Sequence, residues 1–167
     1  RQLSVSEGLV TLRVAKAVEA GLSYDEIMAS APEWAKNTRI YTDVHTLKYM
    51  VRGGRVPPLA GFVANLLNVK PIVGLNDQGK AKIWGKSFSR AANARKITAL
   101  IENDLKSFRL WDYAIVHAEA EARAQMYARM LEKLTGRPPA YIMPLSPVVG
   151  VHNGIGAVAV GVSYDLL

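Results

Sequence analysis

Six short apolar or β-branched runs, at residues 39–44, 69–75, 80–88, 112–118, 140–145 and 157–163, are interleaved with segments of helical period. Residues 4–35 carry only the helical period. A chain patterned this way has few options, because each strand run needs an apolar layer to cover it and the helical stripes supply that layer. The expected architecture is α+β with α/β-type layering: a mixed β-sheet of about five or six strands with packed helices.

Local signals place the element ends. The first helix, 4–20, would bury Val10, Val14, Ala17 and Val18 and stop at Gly21. Ser23, with Glu26 three residues on, is a capping box opening a second helix whose apolar face is Ile27, Ala31, Trp34 and Ala35. Pro32 should kink or divide that helix. Residues 46–52 make one or two turns ending at Gly53-Gly54, and Pro57-Pro58 suits the first turn of a helix carrying Leu59, Phe62, Val63, Leu66 and Leu67. Asn76-Asp77-Gln78-Gly79 joins the second and third strands. Ser89 caps a helix expected to reach Phe108, with Ile97, Leu100, Ile101, Asp104 and Leu105 inside, and Gly136 ends the helix 119–135.

With 167 residues the chain suits one domain, 1–167, in which a helical lead-in (Ser4 to Thr38) precedes the mixed sheet and helices (Arg39 to Leu167). It contains no cysteine, which excludes disulfides and thiolate chemistry and suits a reducing cytoplasm. The net charge of +7 fits nucleic acid, an anionic membrane, an acidic protein partner, a solubility surface or the basic half of a larger protein. The opening residues lack the apolar core of a signal peptide, and the longest apolar stretch, 56–69, is too short to span a bilayer and contains Pro57, Pro58 and Asn65. A soluble protein is expected. Because a strong helix starts almost at Arg1, the chain reads as the back part of a longer protein.

Two segments stand out as candidate sites. In Val148-Val149-Gly150-Val151-His152-Asn153-Gly154-Ile155-Gly156-Ala157 a polar pair, His152 and Asn153, sits among glycines between two strand runs. Backbone N–H groups of such a turn, Gly154 included, together with an imidazole suit an anionic head group. The alternative is a tight loop whose glycines only supply positive φ. In Arg52-Gly53-Gly54-Arg55-Val56-Pro57-Pro58, two glycines and two arginines precede a helix start, where phosphate or carboxylate can bind; a glycine cap with solvated arginines is the alternative. No Lys-Ser/Thr follows, so this is not a nucleotide P-loop.

His45, His117 and His152 lack metal-ligand spacing, and no Gly-x-Ser-x-Gly nucleophile turn is present, so neither a metal nor catalysis by this chain is expected. The densest basic run, Lys80, Lys82, Lys86, Arg90, Arg95 and Lys96, has only Trp84 and Phe88 among it. That is too few aromatics for single-stranded nucleic acid, so a solvated face or a docking surface for an acidic partner, through Arg90, Arg95 and Lys96, is preferred.

Four stretches in fixed order carry a resemblance: Ser4-Val5-Ser6-Glu7-Gly8-Leu9; Asp43-Val44-His45-Thr46-Leu47-Lys48-Tyr49-Met50-Val51-Arg52-Gly53-Gly54-Arg55-Val56; Asn65-Leu66-Leu67-Asn68-Val69-Lys70-Pro71-Ile72; and Pro147 through Ala157. Across nearly its whole length the chain resembles the bacterial DegV family of fatty-acid-binding proteins. The resemblance implies a two-domain cytoplasmic carrier that holds a long-chain fatty acid with its tail in a tunnel. A separate fatty acid kinase converts the bound acid to an acyl phosphate for phospholipid synthesis, so the carrier is no enzyme and needs no cofactor beyond its ligand. It also implies that His152 hydrogen-bonds the carboxylate and that Arg55 lies near the head group.

The family's His-Thr-Gly-Pro-Gly turn reads His152-Asn153-Gly154-Ile155-Gly156 here, a departure that bears on loop shape. By the same resemblance the family's first domain, which supplies hydroxyl ligands, precedes this chain, so half a site and self-association of the isolated part are expected. Burying about 15 methylenes at ~0.8 kcal/mol each gives a gross ~12 kcal/mol, so a tail tunnel dominates affinity and a few donors orient the head. Phe62, Leu66, Leu67, Ile72 and Val73 are its candidate lining, ordinary core being the alternative for each. The competing function is a basic nucleic-acid- or protein-binding domain without a lipid ligand.

Overall fold

The computed structural model describes residues 2–56 and 69–167. Among these, α1 (Val5–Glu19) and α2 (Tyr24–Lys36) lead into β1 (Thr38–Asp43) and the short α3 (Lys48–Arg52). Then come β2 (Lys70–Leu75), β3 (Ala81–Ser87), α4 (Arg90–Asp104), β4 (Phe108–His117), α5 (Glu121–Thr135), β5 (Ile142–Pro144), α6 (Pro147–Asn153) and β6 (Val158–Leu166). The strands form one six-stranded sheet in the order β3-β2-β1-β6-β4-β5, antiparallel except for the parallel β4–β5 pair. This is the expected mixed sheet, with helices on both of its faces.

One face lies under α4 and α5, where Tyr41, Ile72, Ile97, Ile101, Ile115, Tyr127, Leu131 and Val160 form the largest core. On the other face α1 packs Val5 and Leu9 against Ile40, Ala114, Val116 and Ala159. A third cluster, Val44, Leu47, Met50, Val56, Val73 and Ala157, seats α3. Ile72 and Val73 thus belong to different clusters, as the alternation of side chains along a strand requires.

Four details differ from the sequence reading. The buried stripe of α1 is Val5, Leu9 and Ala17, while Val18 is 59% exposed. The reason lies in β6: Gly161 presents no side chain, and Val5 and Leu9 close onto that gap. Pro32 does not divide α2, which runs on to Lys36; it sits on an exposed side beside exposed Met28, whose carbonyl water can satisfy. α4 ends at Asp104, and Phe108 opens β4, because the Asp104 carboxylate is drawn in by Arg39, Tyr41 (2.6 Å) and Tyr164 (3.1 Å). Finally, the run 140–145 contributes only three strand residues. Pro57, Pro58, Leu59, Phe62, Val63, Leu66 and Leu67, expected in a helix, lie outside the described residues.

The capping box is present, the Ser23 hydroxyl accepting from the Glu26 N–H; donation to the Glu26 carboxylate from the Ser23 hydroxyl (2.6 Å) and then from the Ser23 N–H (2.7 Å) holds Glu26 below the usual carboxylate range. Arg13 ties α1 to the sheet by its pairing with Asp165 and by lying 5.0 Å from the ring centres of both Trp34 and Trp111.

Candidate functional site

The two segments singled out by sequence meet at one end of the sheet. Val148 to Asn153 is helix rather than turn: Pro147 starts α6, and Gly154, at φ 78° and ψ 162°, ends it in a conformation only glycine adopts readily. His152 is therefore in the last turn of a short helix and not at a strand end. Gly156, also at positive φ, donates to the Ala118 carbonyl at 2.7 Å and returns the chain to β6.

α3 and α6 interlock by exchanging a ring for a glycine in each direction. A Cβ on Gly53, just after α3, would collide with His152 Nδ1, and a Cβ on Gly154, just after α6, would collide with the ring of Tyr49. The Nδ1 edge of His152 is buried without a hydrogen-bond partner. Arg55 is exposed and its Nη1 donates to the Gly53 carbonyl at 2.7 Å, two residues back in the same turn. His152, Arg55, Gly154 and the half-buried Asn153 are thus brought into one neighbourhood by the α3–α6 contact.

A mainly apolar cleft of about 420 Å³ is bounded by Ser4, Val5 and Gly8 at the start of α1, Tyr141 and Met143 to Ser146 around β5, Val116, and Val149 of α6. Its size falls within the usual range of ligand pockets. Val149 and His152 are three residues apart on α6, hence on one side of it. Tyr141 donates to the Val5 carbonyl at 3.3 Å, and burial raises its pKa. Ile72 and Val73 are buried in core clusters and are not among the residues that border this cleft.

The basic residues divide. Arg95 and Lys96 are exposed on α4. Arg90 instead turns inward toward Asp43 and the Gly156 carbonyl. Sequence reading missed Asp43, which is fully buried and accepts from Asn93 (2.7 Å), Arg123 Nε (2.7 Å) and Tyr127 (3.2 Å). A carboxylate closing an apolar strand run was the available signal. The histidines are dispersed: His45 is exposed, whereas His117 is buried and its Nδ1 accepts from the Ala120 N–H. Among the described residues no group of three His, Cys, Asp or Glu side chains could hold a metal, and no helix is long and apolar enough to cross a membrane.

The sequence profile of the DegV family, described as uncharacterised proteins, matches residues 1–165, and the chain belongs to that family. A DegV domain-containing protein of Clostridium acetobutylicum is 30% identical over 157 residues, 93% of this chain and 56% of that protein. A fatty-acid-binding DegV family protein from Streptococcus agalactiae superposes with a TM-score of 0.82 at 22% identity, over 96% of this chain and 56% of that one. DegV, a fatty acid binding protein from Bacillus subtilis, gives 0.78 at 26% identity over 96% and 57%. The chain spans about half the length of the curated relatives it matches.

Proposed function

We propose that this chain is a fatty-acid-binding module that holds a long-chain fatty acid and presents its carboxylate to a partner fatty acid kinase in the cytoplasm. His152 donates from Nε2 to the carboxylate, Arg55 supplies the nearby positive charge, and Asn153 and the Gly154 backbone complete the polar rim. The acyl chain runs from there along the apolar cleft between α1, β5 and α6. The phosphoryl transfer belongs to the kinase, for which Arg95 and Lys96 are the docking cations. The observation that carries this reading is the interlock of Gly53 with His152, because it joins in one place the two segments that suit an anion. The fatty-acid binding of the Streptococcus agalactiae and Bacillus subtilis proteins supports the ligand class.

Physical chemistry supports the division of labour. Tail burial at about 25 cal/mol per Å² supplies affinity, while a few donors set the orientation that an incoming phosphoryl donor requires. Denaturing extraction of the purified chain followed by mass spectrometry tests it. A bound long-chain fatty acid is expected; nucleic acid in its place, or no lipid after incubation with fatty acid, would overturn the reading.

A further inference from the structure

Asp43 is the last residue of β1, from which the chain passes into α3, Gly53 and Arg55; Gly156 is the residue that leads from the His152 turn back into β6. The two are joined through Arg90. Arg123 already neutralises Asp43, with Nε at 2.7 Å, and Asn93 and Tyr127 satisfy the remaining acceptor positions. Arg90 Nη2 stands 3.7 Å from Asp43 Oδ2, beyond hydrogen-bond reach, and donates instead to the Gly156 carbonyl. Arg123 Nη2 in turn donates to the Arg90 carbonyl at 2.5 Å, fixing the first residue of α4.

This placement opposes the charge on Arg90. Burial lowers its pKa, Asp43 offsets part of that, and Arg123 adds to the lowering. Its Nε is buried without a partner. A second guanidinium is therefore superfluous for charge balance at Asp43, and the contact it uniquely makes is the one to Gly156.

We propose that Arg90 is a positioning residue for the head-group site: anchored on Asp43, it holds the Gly156 carbonyl and thereby the turn that carries His152. The inference rests on the fatty-acid reading of that site, but its geometry can be tested without ligand. Arg39 provides the control. It pairs with the other buried carboxylate, Asp104, at the opposite end of β1, so Arg39→Ala disturbs a comparable contact far from the turn.

The experiment compares wild type, Arg90→Ala, Arg90→Lys and Arg39→Ala by two measurements. Amide hydrogen exchange of Gly154, Gly156 and Ala157 is read without ligand; the carboxyl resonance of a carboxyl-labelled palmitate is read alongside palmitate retention. Both Arg90 variants should exchange about tenfold faster at these amides, the factor expected from losing one hydrogen bond, with the rest of β6 unchanged. Lysine keeps the charge near Asp43 but lacks the second arm, so Arg90→Lys separates positioning from folding. Palmitate should be retained with its carboxyl resonance moved toward the free-acid position, and Arg39→Ala should leave both readouts as in wild type. Wild-type exchange at the turn in Arg90→Lys, or the same acceleration in Arg39→Ala, overturns the proposal. If wild type itself fails to retain palmitate while the exchange pattern appears, the ligand reading fails and the positioning role of Arg90 stands.

Discussion

His152 and Gly53 occupy each other's space: the Nδ1 edge of the imidazole lies where the Cβ of any other residue at position 53 would be. Tyr49 and Gly154 repeat the arrangement from the opposite helix. Two glycines that read in sequence as a helix stop and a loop are therefore packing surfaces for the rings that define the site.

Alanine at these glycines should be costly in a graded way. Gly154→Ala meets the Tyr49 ring and a glycine-only backbone, and should lose about 3–4 kcal/mol. Gly53→Ala meets the imidazole and, less tightly, the Tyr49 carbonyl at 3.2 Å, and should lose about 1–3 kcal/mol while displacing His152. Gly54, at φ 68° with open space around its Cβ position, should cost about 1 kcal/mol. Urea denaturation of the three variants, with the His152 ring resonance as local reporter, checks the order.

The two buried carboxylates should differ in weight. Asp43→Asn leaves the Arg123 guanidinium, 16% exposed, without its carboxylate and should destabilise the protein by about 3–5 kcal/mol. Asp104→Asn should cost less, because the Arg39 side chain is 29% exposed and can turn to water. Denaturant midpoints at neutral pH make the comparison; equal losses would mean that solvent access of the cation does not govern the penalty.

Alkaline pH should unfold this protein through its tyrosines. Burial holds Tyr41, Tyr113, Tyr127 and Tyr164 in the protonated form, Tyr113 being pushed up to about 12 from 10. A folded-state pKa above the unfolded one contributes stability that is complete below pH 10 and lost as pH rises through about 12. The tyrosinate absorbance of these four should therefore appear together with the loss of far-ultraviolet circular dichroism, after that of the exposed Tyr24 and Tyr49. Ionisation of these residues with structure intact would contradict the packing described.

Val148, Val151 and Ile155 are 76%, 64% and 72% exposed around α6, an apolar surface beside the site. The isolated chain should associate through it, and Val151→Ser with Ile155→Ser should shift sedimentation toward the monomer without loss of stability. Unchanged association would place the contact elsewhere.

The layered architecture was legible because strand runs and helical stripes differ in period, and the capping box at Ser23 and the stops at Gly53 and Gly136 are local chemistry. α6 was not. Val148 to Asn153 read as part of a glycine-bearing turn, because the β-branched Val148, Val149 and Val151 disfavour a helix, and only Pro147 at its first position marked a helix start. Likewise the basic run gave no sign that Arg90 turns inward while Arg95 and Lys96 face water, because a partner 47 positions away in the chain, Asp43, decides it. His152 and Arg55 could be nominated from their segments, but their proximity depends on α3 meeting α6, a tertiary contact that no spacing encodes.

The proposed function has a fatty acid held by its tail and oriented by His152. Its most direct test is the carboxyl resonance of carboxyl-labelled palmitate bound to wild type and to His152→Ala, with the amount retained measured on the same samples. Loss of one such hydrogen bond costs about 1–3 kcal/mol against the larger contribution of the tail. Palmitate should accordingly stay bound to both proteins, with a displaced carboxyl resonance in wild type that returns to the free-acid position in His152→Ala. The same displaced resonance in both proteins, or no palmitate on wild type, would contradict the account.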